Sequence, residues 1–295
     1  MATLREIRRR IVSIRSTQKI TRAMKMIAGV RFRHAQEALH TIKTYSKSMD
    51  TMLSHLVESF NGNITHPLFE RREIKKSLII IVSGDRGMCG AFNNNIIRAS
   101  MDYLDKNYPN WQKGTSVVEL IAIGKKAGDY LTKHGISLLD RYTGVFNDLS
   151  KKRISSIAQV LIQSFLEKKF DKIEIICNEF KSVSQQKAIV EQFLPVPSIP
   201  VSGNVTSFDY IFEPSREKII ERLLPVYLTF KLWRTLLESH TAEEAARMTA
   251  MNMATENANE LMNTLTLLYN KARQASITRE LIEVISGADA LTKAY

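Results

Sequence analysis

The chain has 295 residues, 44% of them apolar and 24% charged, which excludes a disordered or collagen-like polypeptide. It has only two cysteines, Cys89 and Cys177, so a disulfide-stapled scaffold is excluded, and no apolar run approaches the ~18 residues of a spanning helix. The formal net charge of +12 is gathered at the start, where residues 1–33 hold ten Lys/Arg and a single acid, Glu6; such a segment suits an acidic partner, whether nucleic acid, an anionic lipid surface or an acidic protein face.

Residues 1–60 read as one long helix. The first ten residues carry four arginines and no apolar core, unlike a signal or transit peptide, so the expected protein is soluble and intracellular. The only breaker before Gly62 is Gly29. Leu4, Ile7, Ile11 and Ile14 recur at helical spacing. Ile20, Met24 and Ile27 follow, and then Ala35, Leu39, Ile42, Met49, Leu53 and Leu56. A helix with such a stripe needs a partner.

The middle of the chain holds ten of the 12 glycines and five of the seven prolines. Residues 77–82 read as a fully buried strand. A Gly-rich turn follows at 84–90, then a helix from about Asn93 to Lys106. Strands are expected at 117–123, 172–177 and 188–193, with helices at 125–134 and 154–169. Alternating strands and helices imply a mainly parallel, Rossmann-like sheet.

Residues 226–286 contain neither Gly nor Pro. Met251, Ala254, Ala258, Leu261, Leu265, Leu268, Ala272 and Ala275 step by threes and fours, as in a coiled-coil seam. One helix of this length would reach about 90 Å. A compact globule of the whole chain would have a radius of gyration of only about 19 Å, so the helix must protrude. Two such ends flanking a compact domain can pair as an antiparallel coiled coil. Homodimeric pairing fits the same periodicity. The Ala- and Met-rich stretch at 242–258 is open to two readings, a thin core or a seam that adapts to changing partners.

The sequence offers no active site. The turn at 84–90 is spaced G-x-x-G-x-x-G, neither a dinucleotide fingerprint nor a P-loop, so it reads as a tight strand-to-helix turn in which Asp85 and Arg86 satisfy local backbone groups. Cys89 lies near a helix start without a neighbouring His and reads as a structural thiol. The six histidines lack ligand spacing, so no metal is expected, and no cofactor either. The bland reading of every exposed charged residue is a solvated coiled-coil flank.

Several long strings are nonetheless specific. Residues 14–26 (Ile-Arg-Ser-Thr-Gln-Lys-Ile-Thr-Arg-Ala-Met-Lys-Met), 83–93 (Ser-Gly-Asp-Arg-Gly-Met-Cys-Gly-Ala-Phe-Asn), 246–251 (Ala-Arg-Met-Thr-Ala-Met), 269–280 and 285–291 resemble, in the right order, the signatures of the gamma subunits of F-type ATP synthases. The resemblance implies an α/β fold in which an antiparallel coiled coil of the two chain ends joins a central Rossmann-like domain. The expected division is 1–60 for the N-terminal helix, 61–207 for the α/β domain and 208–295 for the C-terminal helix. It implies a rotating central shaft inside three alpha and three beta subunits, seated with epsilon on the membrane-embedded c-ring. Such a shaft couples proton flow to ATP synthesis or hydrolysis and has no catalytic site, cofactor or metal of its own.

The resemblance also implies contacts with the beta subunit: Arg22, Met24 and Lys25 at its acidic lever loop, and Arg273, Gln274, Thr278 and Glu280 at its catch loop, supported by Arg247 and Glu283. The protein would sit peripherally at the cytoplasmic face of a bacterial inner membrane, with no nucleic-acid partner. Two other classes compete: a nucleic-acid-binding coiled coil using residues 1–33, which has only Phe32 as an aromatic, and a nucleotide-binding enzyme using the middle domain, which lacks a phosphate motif.

Overall fold

The computed structural model describes residues 3–60, 66–109, 111, 117–183, 185–197 and 212–294. In chain order it contains α1 (Leu4–Glu58), β1 (Ser77–Val82), α2 (Phe92–Asn107), β2 (Val118–Ile123), α3 (Lys125–Lys133), β3 (Asp140–Tyr142), α4 (Lys151–Leu166), β4 (Lys172–Phe180), β5 (Gln186–Leu194) and α5 (Arg216–Ala294). Short 3₁₀ turns occupy Pro67–Phe69 and Val145–Asn147. The chain divides into two compact units. One is Ala28–Arg247, and the other is formed by Met1–Ile27 with Met248–Tyr295.

The larger unit is built on a five-stranded sheet of order β3-β2-β1-β4-β5. β1 pairs in parallel with β2 and β4, β2 pairs in parallel with β3, and β5 alone is antiparallel. The all-apolar run of β1 is what a central strand covered on both faces requires. Its side chains alternate: Leu78, Ile80 and Val82 enter one core, Ile79 and Ile81 the other. The second core lies under α2 and α3 and includes Ile96, Leu104, Ala127 and Leu131.

The first core is larger and takes in the long helices. Leu53 and Leu56 of α1, Leu161 and Phe165 of α4, and Leu224, Leu228, Leu232 and Leu236 of α5 all pack into it with the sheet. The two long helices are therefore the outer layer of this α/β unit. β3 escaped the sequence reading because it has three residues, Asp-Arg-Tyr, without an apolar run. α5 begins at Arg216, within the expected 208–295 segment and ten residues before the run without Gly or Pro, and passes through Pro225. Pro225 removes one helical donor, but Leu224 and Leu228 are fully buried in the core, so packing outweighs the local penalty.

In the smaller unit the start of α1 and the end of α5 run antiparallel within one chain. Gln18 bonds Asn259, the Thr21 hydroxyl lies 2.8 Å from that of Thr255, and Lys25 Nζ donates to Asn252 Oδ1 at 2.5 Å. The seam differs from the apolar stripes. Thr21 is buried while Ile20 and Ile27 are exposed, and Leu261 and Leu268 are exposed while Met262 and Tyr269 are partly buried. The strong set Leu4, Ile7, Ile11 and Ile14 fixes the phase, and the seam continues from it through Gln18, Thr21 and Met24. The isoleucines at 20 and 27 are out of that phase. The apolar residues left outside the seam form part of the unit's surface.

Candidate functional site

In an open α/β sheet the usual ligand crevice lies at the carboxyl ends of the strands, where the strand order reverses. Here that is the end of β1, between β2 and β4, where the loop 83–91 leads into α2. This chain fills the place with its own atoms. The Ser83 hydroxyl accepts from the Ala127 amide at 2.9 Å, and Asp85 Oδ1 accepts from the amides of Lys125 at 3.0 Å and Gly144 at 3.1 Å. The free amides at the start of α3, which elsewhere would hold a phosphate, are capped by side chains of the β1–α2 loop. Asp85 thus serves backbone groups 40 and 59 residues away, and the Arg86 side chain is exposed; the expected local role holds for neither side chain.

The loop itself is rigidly braced. Asn93 Oδ1 accepts from the Gly84 amide at 2.8 Å, and Asn93 Nδ2 donates to the Arg86 carbonyl at 3.1 Å. Cys89 is buried, and burial together with the nearby Glu243 charge pushes its thiol pKa up. It is a packed thiol rather than a thiolate nucleophile. At the end of β2, Gly124 has φ +98°, and a Cβ there would stand 1.9 Å from the Ser83 carbonyl oxygen. Only glycine lets the two strand ends meet so closely.

α5 closes the crevice from above. Ala242 packs on Cys89 and Phe92, and Ala242 and Ala245 are fully buried. The small residues of this stretch bring the helix backbone down onto the loop, which accounts for the alanines. Glu243 lies over Gly84 so closely that a Cβ there would be 2.7 Å from the carboxyl carbon. Arg247 pairs with Glu243 at 2.5 Å and Glu244 at 2.7 Å, and its guanidinium lies 3.5 Å from the Gly87 carbonyl oxygen. Arg31 of α1 approaches Glu244 at 4.0 Å. Burial raises the Glu243 pKa, but the His240 ring 3.9 Å away and the hydrogen-bonded Arg247 guanidinium outweigh it and hold the carboxylate below its usual range. A cavity of about 240 Å³ remains beside this group, lined by Arg31, Asp85, Phe146, His240 and Glu244. Among the described residues no cluster of three or more His, Cys, Asp or Glu could hold a metal ion, and no described helix is long and apolar enough to cross a membrane.

The residues expected to meet partners fall in both units. Arg22 and Lys25 are exposed on α1, and Met24 is partly buried at the seam. Lys25 is engaged by Asn252. Arg273, Gln274, Thr278, Glu280 and Glu283 are all exposed on α5, with the Thr278 hydroxyl turned back onto the Gln274 carbonyl. Arg247 lies in the other unit, is 7% exposed and is committed to Glu243 and Glu244. Sequence reasoning missed Glu243, Glu244 and Arg31, since a charge pair at i, i+4 on a helix is the commonest of surface patterns.

The register of the helix pair brings Leu4, the first residue of α1, level with about Arg273. Beyond that point α5 has no described partner helix for about 30 Å, at 1.5 Å per residue. Its residues up to Ala288 are exposed apart from the partly buried Ser276, and among them are Ile277, Leu281, Ile282, Val284 and Ile285.

A family model described as ATP synthase matches residues 3–291. The ATP synthase gamma chain of Cytophaga hutchinsonii is 40% identical over 294 residues, covering 99% of both chains. That of Pelodictyon phaeoclathratiforme is 43% identical over 294 residues, covering 99% of this chain and 100% of the other. Among solved structures, a chain of the Euglena gracilis mitochondrial ATP synthase is similar in fold, with a TM-score of 0.66 at 19% identity over 98% of this chain and 94% of that one. A chain from the structure of the Tetrahymena thermophila mitochondrial ATP synthase central stalk and c-ring gives 0.58 at 21% identity, over 80% of this chain and 99% of that one. With a family model that matches residues 3–291 and relatives 40–43% identical over nearly the whole chain, this chain belongs to the ATP synthase gamma chain family.

Proposed function

We propose that the chain is the central rotating shaft of an F-type ATP synthase, a non-catalytic subunit that couples rotation of a c-ring to ATP synthesis or hydrolysis in a ring of three alpha and three beta subunits. The observation that carries this reading is the end of α5. Exposed apolar side chains at 277, 281, 282, 284 and 285 spread round about half of a helix at 3.6 residues per turn. A fixed partner helix would need only a stripe. A sleeve within which the helix turns meets successive faces, and a surface of this kind marks an interaction site.

The other features agree. The strand-end crevice, where this fold would hold a nucleotide, is filled by the chain's own side chains, which fits a subunit without chemistry of its own. The basic start of α1, with Arg22 and Lys25 exposed, suits acidic loops of beta, because charge attraction is long-ranged and tolerates sliding. Arg273, Gln274, Thr278, Glu280 and Glu283, with Met24, are the remaining proposed beta contacts; Arg247, 7% exposed and held by Glu243 and Glu244, is not offered as a direct one. Epsilon and the c-ring would meet the α/β unit, and the complex would hold the chain peripherally at the cytoplasmic face of a bacterial inner membrane. We keep the division at 60 and 207 as the functional one, shaft helix, base and shaft helix.

The test is native purification of the tagged chain from its host, followed by mass spectrometry and an ATPase assay. Recovery with alpha, beta and epsilon subunits and ATPase activity supports the reading. Recovery alone, or with nucleic acid and no ATPase, overturns it. Within the active complex, Arg22→Glu with Lys25→Glu should impair torque transfer more than assembly.

A further inference from the structure

We propose that Glu243, Glu244, Arg247 and Arg31 form a torsional clamp, by which the α/β unit grips both long helices against twist. The proposal rests on the shaft reading and goes beyond it, since it assigns the grip to particular side chains. Three elements meet in this one cluster. Glu243, Glu244 and Arg247 stand on α5, Arg31 on α1, and the Gly84 backbone and Gly87 carbonyl belong to the β1–α2 loop.

Hydrophobic packing holds the helices to the sheet but is non-directional. It resists separation far better than it resists rolling or sliding. The pairs of Arg247 with Glu243 and Glu244 lie within α5 and fix where those charged groups stand. The contacts that cross to other elements, Arg247 to the Gly87 carbonyl at 3.5 Å, Glu244 to Arg31 of α1 at 4.0 Å and the Glu243 carboxyl seated on Gly84, are the ones that oppose both motions. The cluster is also buried: Glu243 is 4% and Glu244 2% exposed. Buried ion pairs add little net stability over apolar packing, so geometric fixing is a better reason for their presence than stability. Clearance is minimal as well, because Gly84 leaves no room above its Cα and Ala242 and Ala245 bring α5 onto the loop.

A second anchor holds α5 farther along. Lys231 Nζ donates to the Gln192 carbonyl at 2.7 Å, and Arg234 pairs with Glu191 at 2.8 Å, both on the edge strand β5. Between Lys231 and Arg247 the helix rises about 24 Å. A rod held at two separated points, to two different elements, cannot turn about its axis without breaking one hold.

The experiment uses the assembled complex of this chain with its alpha and beta subunits, fixed to a surface through beta. Both native cysteines are buried, so a cysteine introduced at the exposed Lys133 takes a bead on α3. Thermal angular fluctuation of the bead in a nucleotide-stalled complex reports the stiffness between base and ring. The double variant Glu243→Gln, Glu244→Gln should widen the angular variance by about two-fold or more, since directional holds in one network fail together. Unloaded ATPase turnover should stay at the wild-type value. Arg31→Gln removes the longest pair, with an Arg31 side chain that is 46% exposed; it should fold and widen the variance less.

Unchanged variance in both variants overturns the clamp, as does a fall in unloaded turnover with the variance unchanged. If the double variant fails to assemble, Arg31→Gln alone decides, and wild-type variance there overturns the proposal. A wild-type complex that assembles with no rotation defeats the shaft reading instead, and the clamp with it.

Discussion

α5 is one unbroken helix of 79 residues, yet its two halves live in different physical worlds. From Leu224 to Arg247 nearly every side chain is buried or partly so, against the sheet, α1 and the β1–α2 loop. From Met253 to Ala288 most are exposed, and the buried seam is reduced to Ala258 and Leu265. α1 shows the same contrast in mirror order, with Leu53 and Leu56 in the main core and Val12, Ile20 and Ile27 in the open. The same secondary structure thus serves as the wall of a domain at one end and as a bare rod at the other. What separates the two is the density of large apolar contacts.

The largest effect expected from that contrast is on stability. Leu236→Ala or Leu53→Ala, each at a fully buried site, should cost about 2–5 kcal/mol in denaturant unfolding. The same change at Leu281, 57% exposed, should stay within about 0.5 kcal/mol. Equal costs at the two ends would erase the distinction. Gly84→Ala comes next, at about 1–3 kcal/mol, because the new methyl would overlap the Glu243 carboxyl; a neutral result in the same assay would mean that α5 can lift off the loop.

A smaller effect follows from pH. Glu243 has a folded pKa below its ordinary value of 4.5, so the unfolded chain binds the proton more readily. The stability it contributes is complete above about 4.5 and is lost as pH falls through the lower folded value. Glu243→Gln should flatten that part of the acid limb when midpoints are compared between pH 6 and pH 3, and a limb of unchanged steepness would remove Glu243 from the account. Smallest of all, deleting residues 282–295 should leave the circular dichroism and melting temperature of the chain nearly unchanged while weakening the coupling of ATPase to rotation. Loss of the sheet signal would show that the exposed end supports the base.

Much of this was legible in the sequence. The gap in breakers after Pro225 announced the long helix, the apolar run at 77–82 announced a central parallel strand, and the glycines and prolines bounded the α/β region. The phase of the seam was not legible past Ile14. Ile20, Ile27, Leu261 and Leu268 are as apolar as true seam residues, and hydropathy alone cannot tell a seam from an exposed flank that meets another protein. β3 was hidden by its shortness. The clamp was hidden for a different reason: Glu243, Glu244 and Arg247 look like any solvated helix face until the loop with Gly84 is folded beneath them, and that contact spans some 160 residues of chain.

Amide hydrogen exchange along α5 of the full chain tests the central contrast most directly. Amides between residues 224 and 247 should exchange only with global unfolding, whereas those between 277 and 288 should exchange through local fraying, orders of magnitude faster. Uniform protection along the helix would contradict the account, because it would mean that the exposed rod is held as firmly as the gripped root.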